Sequence, residues 1–288
     1  MAIQFENVTF YYNSKSKIDP VLKKINLKIN AKNDFIALIG KIGSGKSTLV
    51  QLMNSLLIPK EGYIEIFNRK IDKKTSPQLL TSFKKKIGLV FQFPEYQIFE
   101  NTVLKDVMFG PKNFNMTNEE AKKKAIEALK QVGLEEELFD SSPFKLSEGQ
   151  QRKVAIAGVL AMEPSILILD EPTRGLDIDS QKQIMSILQK KNQKDNKTII
   201  FITHDINLVS EYANKVLLLE KGKIIFYGYK EDFFHNVELS KFNFIEPRTF
   251  QILKFLNKEL EIPFEYKYSS FELFKYLKEV CESYKKND

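Results

Sequence analysis

Alternating and continuous apolar runs mark strands along this chain, and apolar residues spaced three and four apart mark helices. Ile3 to Tyr12 alternates as a half-buried strand does, and Val21 to Ile29 repeats the pattern after a polar turn around Asp19-Pro20. The two predict an antiparallel edge layer. Phe35-Ile36-Ala37-Leu38-Ile39 is instead continuously apolar and ends in a glycine-rich loop, after which Thr48 to Leu57 has helical spacing. From Asn118 to Val132 a helix is predicted with Thr117-Asn118-Glu119-Glu120 as its capping box and Ala121, Ala125, Ala128, Leu129 and Val132 on or near one face. The stretch 93–163 reads as mainly helical. Further apolar strands follow at Ile166–Leu169, Ile199–Ile202 and Val216–Leu219, with a helical segment between the first two, as in a parallel sheet covered on both faces. The core is therefore expected to be α/β.

After Gly228 the character changes. Phe250, Leu253, Phe255 and Leu256, then Phe271, Phe274, Leu277 and Cys281, predict two short amphipathic helices separated by Ile262-Pro263, with Ser269 and Glu272 capping the second. Two such helices are too few for a core of their own, so they are expected to rest on the main domain or on a partner.

Composition narrows the class. The 288 residues, 43% hydrophobic, suit one large domain with an appendage rather than two equal domains. No apolar run approaches the roughly eighteen residues that a spanning helix needs, and Met1-Ala2-Ile3-Gln4-Phe5-Glu6 has neither the basic nor the apolar region of a signal peptide. A cytoplasmic chain is expected. The single cysteine, Cys281, excludes an intramolecular disulfide or a thiolate metal cluster within one chain, and reads as core filler. A net charge of +7 favours anionic surfaces in principle. The lysines are scattered, however, Lys84-Lys85-Lys86 reads as a solvated helix end, and no aromatic residues interleave with a basic stripe, so no nucleic-acid partner is expected.

Two motifs carry chemistry by their context. Gly40-Lys41-Ile42-Gly43-Ser44-Gly45-Lys46-Ser47 has the glycine, the four-residue gap and the Gly-Lys-Ser of a phosphate-binding loop, set between a buried strand and a helix that includes Thr48. Its glycines let successive N–H groups face phosphate oxygens, the helix dipole adds positive potential, Lys46 supplies charge to the β- and γ-phosphates, and Ser47 offers a hydroxyl to Mg²⁺. ATP with Mg²⁺ is the expected ligand. Ile166-Leu167-Ile168-Leu169-Asp170-Glu171 ends a buried strand in two carboxylates, at the edge of a parallel sheet where nucleotides bind. Asp170 is suited to hold Mg²⁺ and Glu171 to polarise an attacking water, although such a pair alone is often a solvated turn.

Leu146-Ser147-Glu148-Gly149-Gln150 resembles the Leu-Ser-Gly-Gly-Gln signature of ABC-type ATPases, and its place before the Asp170-Glu171 strand follows the family order. Gln92 falls at the family's Q-loop glutamine, where the resemblance implies a metal-ligating and catalytic role. Gly175-Leu176-Asp177 resembles the D-loop, Thr203-His204-Asp205 carries the switch histidine, and Tyr12 resembles the aromatic that stacks on adenine. The resemblance covers residues 1 to about 230, with the helical subdomain at about 93–163, and leaves 231–288 as a C-terminal helical extension for dimerisation. It implies a P-loop NTPase core of ABC type with an antiparallel β edge layer and an inserted helical subdomain. It further implies a two-subunit machine in which Ser147, Gly149 and Gln150 of one subunit close over ATP held by the other. Glu148 departs from the pattern by replacing the first signature glycine, bringing a carboxylate near a phosphate-binding surface or simply pointing to solvent.

Within that class, Val90-Phe91-Gln92-Phe93-Pro94-Glu95-Tyr96-Gln97-Ile98-Phe99 is similar to the Q-loop region of energy-coupling factor importer ATPases, and so is the run from Val154 to Pro164. The resemblance implies a peripheral subunit at the cytoplasmic face of the cell membrane. Its expected partners are a second ABC ATPase, with a heterodimer favoured, a transmembrane T component and, indirectly, an S component that captures a vitamin or transition-metal ion. Phe93–Phe99 would couple to them. Two other readings compete. One is a soluble ABC ATPase that remodels a nucleic-acid or protein assembly, against which stands the lack of a second nucleotide domain or long coiled coils. The other is a non-hydrolysing module, against which stands the retained Glu171.

Overall fold

In the computed structural model, which describes residues 2–13, 19–30 and 33–287, strand β1 (Ile3–Phe10) pairs antiparallel with β2 (Leu22–Ile29), placing Ile3 opposite Ile29 and Phe5 opposite Leu27. All five residues of β3 (Phe35–Ile39) are buried, and the loop after it leads into α1 (Lys46–Met53). This helix starts and ends earlier than its spacing predicts, because it begins directly under the glycine loop. The stretch that follows, of which the sequence predicts only a helix end at Lys84–Lys86, forms β4 (Glu61–Ile66), β5 (Arg69–Ile71), α2 (Pro77–Lys86) and β6 (Ile87–Val90). Lys84, Lys85 and Lys86 form the last turn of α2, where cations complement the helix dipole.

The middle of the chain is helical as expected, with α3 (Val103–Asn113), α4 (Asn118–Gln131) and α5 (Glu148–Leu160). Thr117 and Glu120 make the reciprocal capping box at the start of α4, and its five expected apolar residues are buried. Then come β7 (Ile166–Asp170), α6 (Ile178–Asp195), β8 (Thr198–Ile202), α7 (Ile206–Tyr212), β9 (Lys215–Glu220) and β10 (Lys223–Tyr229).

Among the described residues the strands form two sheets. One is antiparallel, in the order β2-β1-β4-β5, and the other runs β10-β9-β3-β8-β7-β6 with only β10 antiparallel to its neighbour. Side chains alternate across each parallel strand, so both faces of the large sheet need a cover. Ile36, Leu38, Ile166, Ile168, Ile200 and Ile202 face a core shared with the antiparallel sheet and α1, through Phe5, Leu27, Leu49 and Met53. Ala37, Ile39, Leu167, Leu169, Ile199 and Phe201 face the opposite core, built with the helical layer and α6 through Val103, Ala125, Val154 and Leu188.

The C-terminal part, α8 (Lys230–Asn236), α9 (Arg248–Leu260) and α10 (Ser270–Asn287), rests on this body. Phe234, Phe250 and Tyr268 meet edge-on or tilted at 5.3 to 5.8 Å, Ser210 Oγ donates to the Tyr268 carbonyl at 2.7 Å, and the Arg248 amide donates to Asn207 Oδ1 at 2.9 Å. The expected cap on α10 is present: Ser269 Oγ accepts from the Glu272 amide at 3.1 Å, and Glu272 accepts from the Tyr268 amide. Of the expected apolar face only Leu277 packs inward. Cys281 is exposed rather than core filler, and Phe271 and Phe274 stand in the open, while Leu273 and Tyr276 bury against Leu253 and Ile262. The Tyr276 hydroxyl donates to the Pro263 carbonyl at 2.6 Å, so its ring packs inward with its polar end satisfied. No helix among the described residues is long and apolar enough to cross a membrane.

Candidate functional site

The carboxyl ends of β3, β6, β7 and β8 carry, in that spatial neighbourhood, the glycine loop, Gln92, Asp170-Glu171 and Thr203-His204. This is the edge at which open parallel sheets bind ligands. The loop is shaped by two glycines that no other residue replaces. Gly40 has φ 148°, and a Cβ there would lie 2.1 Å from the Leu219 carbonyl oxygen, while Gly45 has φ 103° and would meet a Leu22 methyl at 2.8 Å. Lys41, Ile42 and Gly43 form the exposed rim.

Lys46 folds back under this rim and donates from Nζ to the carbonyls of Gly40 at 2.7 Å and Lys41 at 3.0 Å. Burial lowers its pKa, opposed by the nearby Glu171 and Asp170 carboxylates. The first turn of α1 has no acidic side chain and no side-chain cap, so its N–H groups are open to an anion. Ser44 Oγ is buried without a hydrogen-bond partner. An orphaned hydroxyl, an uncapped helix start and a lysine held by carbonyls alone fit a phosphate chain.

Ser47 Oγ donates to Asp170 Oδ2 at 3.1 Å. Burial raises the Asp170 pKa most, with Glu171 adding to it, while Ser47 and Lys46 oppose. A hydroxyl and one carboxylate are hard oxygen donors of the kind that hold Mg²⁺ together with substrate phosphates. No cluster of three or more His, Cys, Asp or Glu side chains suited to a metal occurs among the described residues, so phosphate and water would have to complete the shell. Gln92 lies half-buried just beyond β6.

Glu171 has φ 49°, a left-handed conformation unusual for a residue with a side chain, and its amide donates to the Ile202 carbonyl at 3.1 Å. That turn aims the carboxylate at His204, whose Nδ1 lies 2.8 Å from Glu171 Oε1. Tyr12 stands exposed at the end of the antiparallel sheet, edge-on to Phe10, with its hydroxyl 3.0 Å from Thr48 Oγ1. One face of the site thus joins Tyr12, the loop, Lys46, Ser47, Thr48, Asp170, Glu171 and His204.

The signature residues belong to a different surface. Ser147 is the N-cap of α5: its Oγ accepts from the Gln150 amide at 3.3 Å, and Gln150 Oε1 accepts from the Ser147 amide at 3.0 Å. A Cβ on Gly149 would lie 3.4 Å from Ser180 Oγ, beside the turn where Asp177 caps α6 by accepting from the Ser180 amide at 2.8 Å. Those hydrogen bonds lower the Asp177 pKa. Glu148 is exposed, with its Oε1 3.5 Å from Arg152 Nη2. In the first turn of α5 its charge also favours the helix dipole.

Sequence reasoning missed Arg152. It is 1% exposed and pairs with the buried Glu95 at 2.9 Å. A cation four residues after Glu148 was the available signal, but its partner is 57 positions away.

Residues 22–174 match the family model described as ABC transporter. The chain is 49% identical to the energy-coupling factor transporter ATP-binding protein EcfA2 of Lactobacillus acidophilus, over 86% of this chain and 87% of that one. It is 48% identical to the EcfA2 of Streptococcus pneumoniae serotype 2, over 82% and 85%. Among solved structures it resembles cbiO1 of Clostridium perfringens, part of the ABC transporter complex cbiONQ, at 36% identity and TM-score 0.74 over 90% of this chain and 96% of that one. A dimeric ATP-binding cassette in a post-hydrolysis state, bound to ADP and Pi, also matches at 36% identity and TM-score 0.70, over 79% and 98%.

Proposed function

This chain belongs to the ABC transporter family of ATP-binding subunits, and we propose that it hydrolyses ATP to energise an energy-coupling factor importer for a vitamin or transition-metal ion. The observation that carries the chemical part is the Glu171–His204 pair at 2.8 Å, set beside the loop of Lys46 and the Ser47–Asp170 pair. Tyr12 offers its ring to adenine and the loop N–H groups offer donors to the phosphates, with Lys46 leaving its carbonyl partners to meet the γ-phosphate. Ser47, Asp170 and Gln92 are the residues to hold Mg²⁺, which when bound neutralises charge on the β- and γ-phosphates. Glu171 orients the water that attacks the γ-phosphorus and accepts its proton as the bond to ADP breaks. His204 fixes that carboxylate by hydrogen bonding.

The same reading assigns Ser147, Glu148, Gly149, Gln150 and Asp177 to ATP bound by a second ABC ATPase. It assigns Phe93–Phe99 to a transmembrane partner at the cytoplasmic face of the membrane. Tyr96 is 84% exposed and Phe99, edge-on to the exposed Phe109 at 4.8 Å, is 56% exposed, an aromatic density that supports an interface. Residues 231–288 are assigned to association of the two ATPases. The test is the Glu171→Gln variant: ATP binding should persist while hydrolysis falls at least about a hundredfold, and unchanged hydrolysis would reject the assignment.

A further inference from the structure

The exposed docking segment and the catalytic loop are joined by a residue that belongs to neither. Arg152, in the second turn of α5, makes a fork on Glu95, with Nε donating to Oε2 at 3.3 Å and Nη2 to Oε1 at 2.9 Å. Its Nη1 donates to the carbonyl of Pro172 at 3.5 Å and to that of Arg174. Nη2 also reaches Glu148 Oε1 at 3.5 Å. A second tie runs parallel, because the Arg174 guanidinium lies 5.6 Å over the Phe93 ring. One buried cation therefore touches the 3-10 turn Pro94–Gln97, the start of α5 behind Ser147, and the loop that leaves Glu171.

The chemistry of such a site leaves little slack. A guanidinium is a planar fork with fixed donor directions, and a bidentate carboxylate fixes its orientation. Both partners are hidden from water, so separating them would strand a buried charge. A push on Tyr96, next to Glu95, must then carry the guanidinium along, and with it the carbonyls of Pro172 and Arg174.

We propose that Arg152 is a positioning residue that links the docking segment to the catalytic loop and the signature helix through its paired contacts to Glu95, Pro172 and Arg174. The docking role of the segment is the reading proposed above, and the consequence for coupling rests on it. In the assembled transporter, movement at Tyr96 resets the turn after Glu171 and the helix behind Ser147 together.

Amide hydrogen exchange on the full-length chain tests the linkage directly, comparing the unaltered protein with Glu95→Gln. Amides of Arg174 and Leu176, which donate within the loop at 3.2 and 3.3 Å, and of Gln151, are the reporters. They should exchange at least about fivefold faster in the variant, although they lie far along the chain from the change. Acceleration confined to residues 94–97, or spread evenly along α5 with no preference for 173–176, overturns the proposal. Should Glu95→Gln not fold, Arg152→Lys, which keeps the charge but loses the fork, carries the same test with the same outcomes. ATP with Mg²⁺ is added in a parallel arm: if it gives no protection across residues 40–48 of the unaltered chain, the proposed function fails, while the linkage is still judged from the nucleotide-free protein.

Discussion

His204 Nδ1 lies 2.8 Å from Glu171 Oε1, and the His204 ring is largely exposed while the Glu171 side chain is largely buried. The exposed partner therefore holds the buried one in place without itself being shaped by packing. Replacing it with alanine should leave the fold and ATP affinity intact and lower turnover by about a hundredfold or more, the range for losing organised general-base catalysis. Single-turnover hydrolysis with a parallel nucleotide-binding titration checks both halves.

Lys46 is held by two carbonyls and partly desolvated, an arrangement that costs stability unless a phosphate replaces them. Lys46→Ala should weaken ATP binding by at least about tenfold, the ~1.4 kcal/mol expected for one lost charge-assisted hydrogen bond. Its apo form should melt no lower than the parent. A nucleotide titration together with apo melting curves checks this.

Asp170 should carry a pH signature in stability. Burial raises its folded-state pKa, so the native protein holds this proton more tightly than the unfolded chain does. Its contribution is full below the unfolded carboxylate pKa and is lost as pH rises through the raised folded value. Asp170→Asn should therefore melt higher than the parent at pH 8, converge with it in acid, and hydrolyse no ATP. Melting curves across pH, with activity at pH 8, are the check.

Tyr12 presents an exposed ring beside Thr48 and edge-on to Phe10. If the ring stacks on adenine, Tyr12→Ala should raise the KM for ATP by about three- to tenfold, the ~0.5–1.5 kcal/mol of an aromatic contact, with kcat little changed. Tyr12→Phe should lie close to the parent. Steady-state kinetics separates the two.

In α10 the inward face is set by Leu273 and Tyr276, not by Phe271 and Phe274. Leu273→Ala should destabilise by about 2–4 kcal/mol, whereas Phe271→Ala should stay within about 0.5 kcal/mol for the isolated chain. Denaturant titration of both variants reads the difference.

The site was legible in the sequence wherever chemistry demands neighbouring residues in one context. The Gly40–Ser47 loop must follow a buried strand and open a helix, and Asp170-Glu171 must close one, so each motif carried its own structural setting. Capping was legible for the same reason, as Thr117 with Glu120 and Ser269 with Glu272 show. What could not be read was anything settled by contact between distant segments. Residues 271, 274, 277 and 281 and residues 273, 276, 277 and 280 both make helical stripes, and the choice between them is made by packing on Leu253 and Ile262, distant in sequence. The contact of Glu148 with Arg152 was within reach of helical spacing, but Arg152 gains its meaning from Glu95, far away in sequence. Strand β5 escaped because its three residues are too few to show a period.

As proposed, this chain works at a membrane as half of a paired ATPase engine. The most direct test is to capture the tagged full-length chain from detergent-solubilised native membranes and identify its stoichiometric companions by mass spectrometry. Recovery of a second ABC ATPase together with a multi-spanning membrane protein, reduced when Tyr96 and Phe99 are replaced by alanine, is the expected result. Recovery of ribosomes, nucleic acid or no membrane protein at all would contradict the importer assignment and leave only the ATPase chemistry standing.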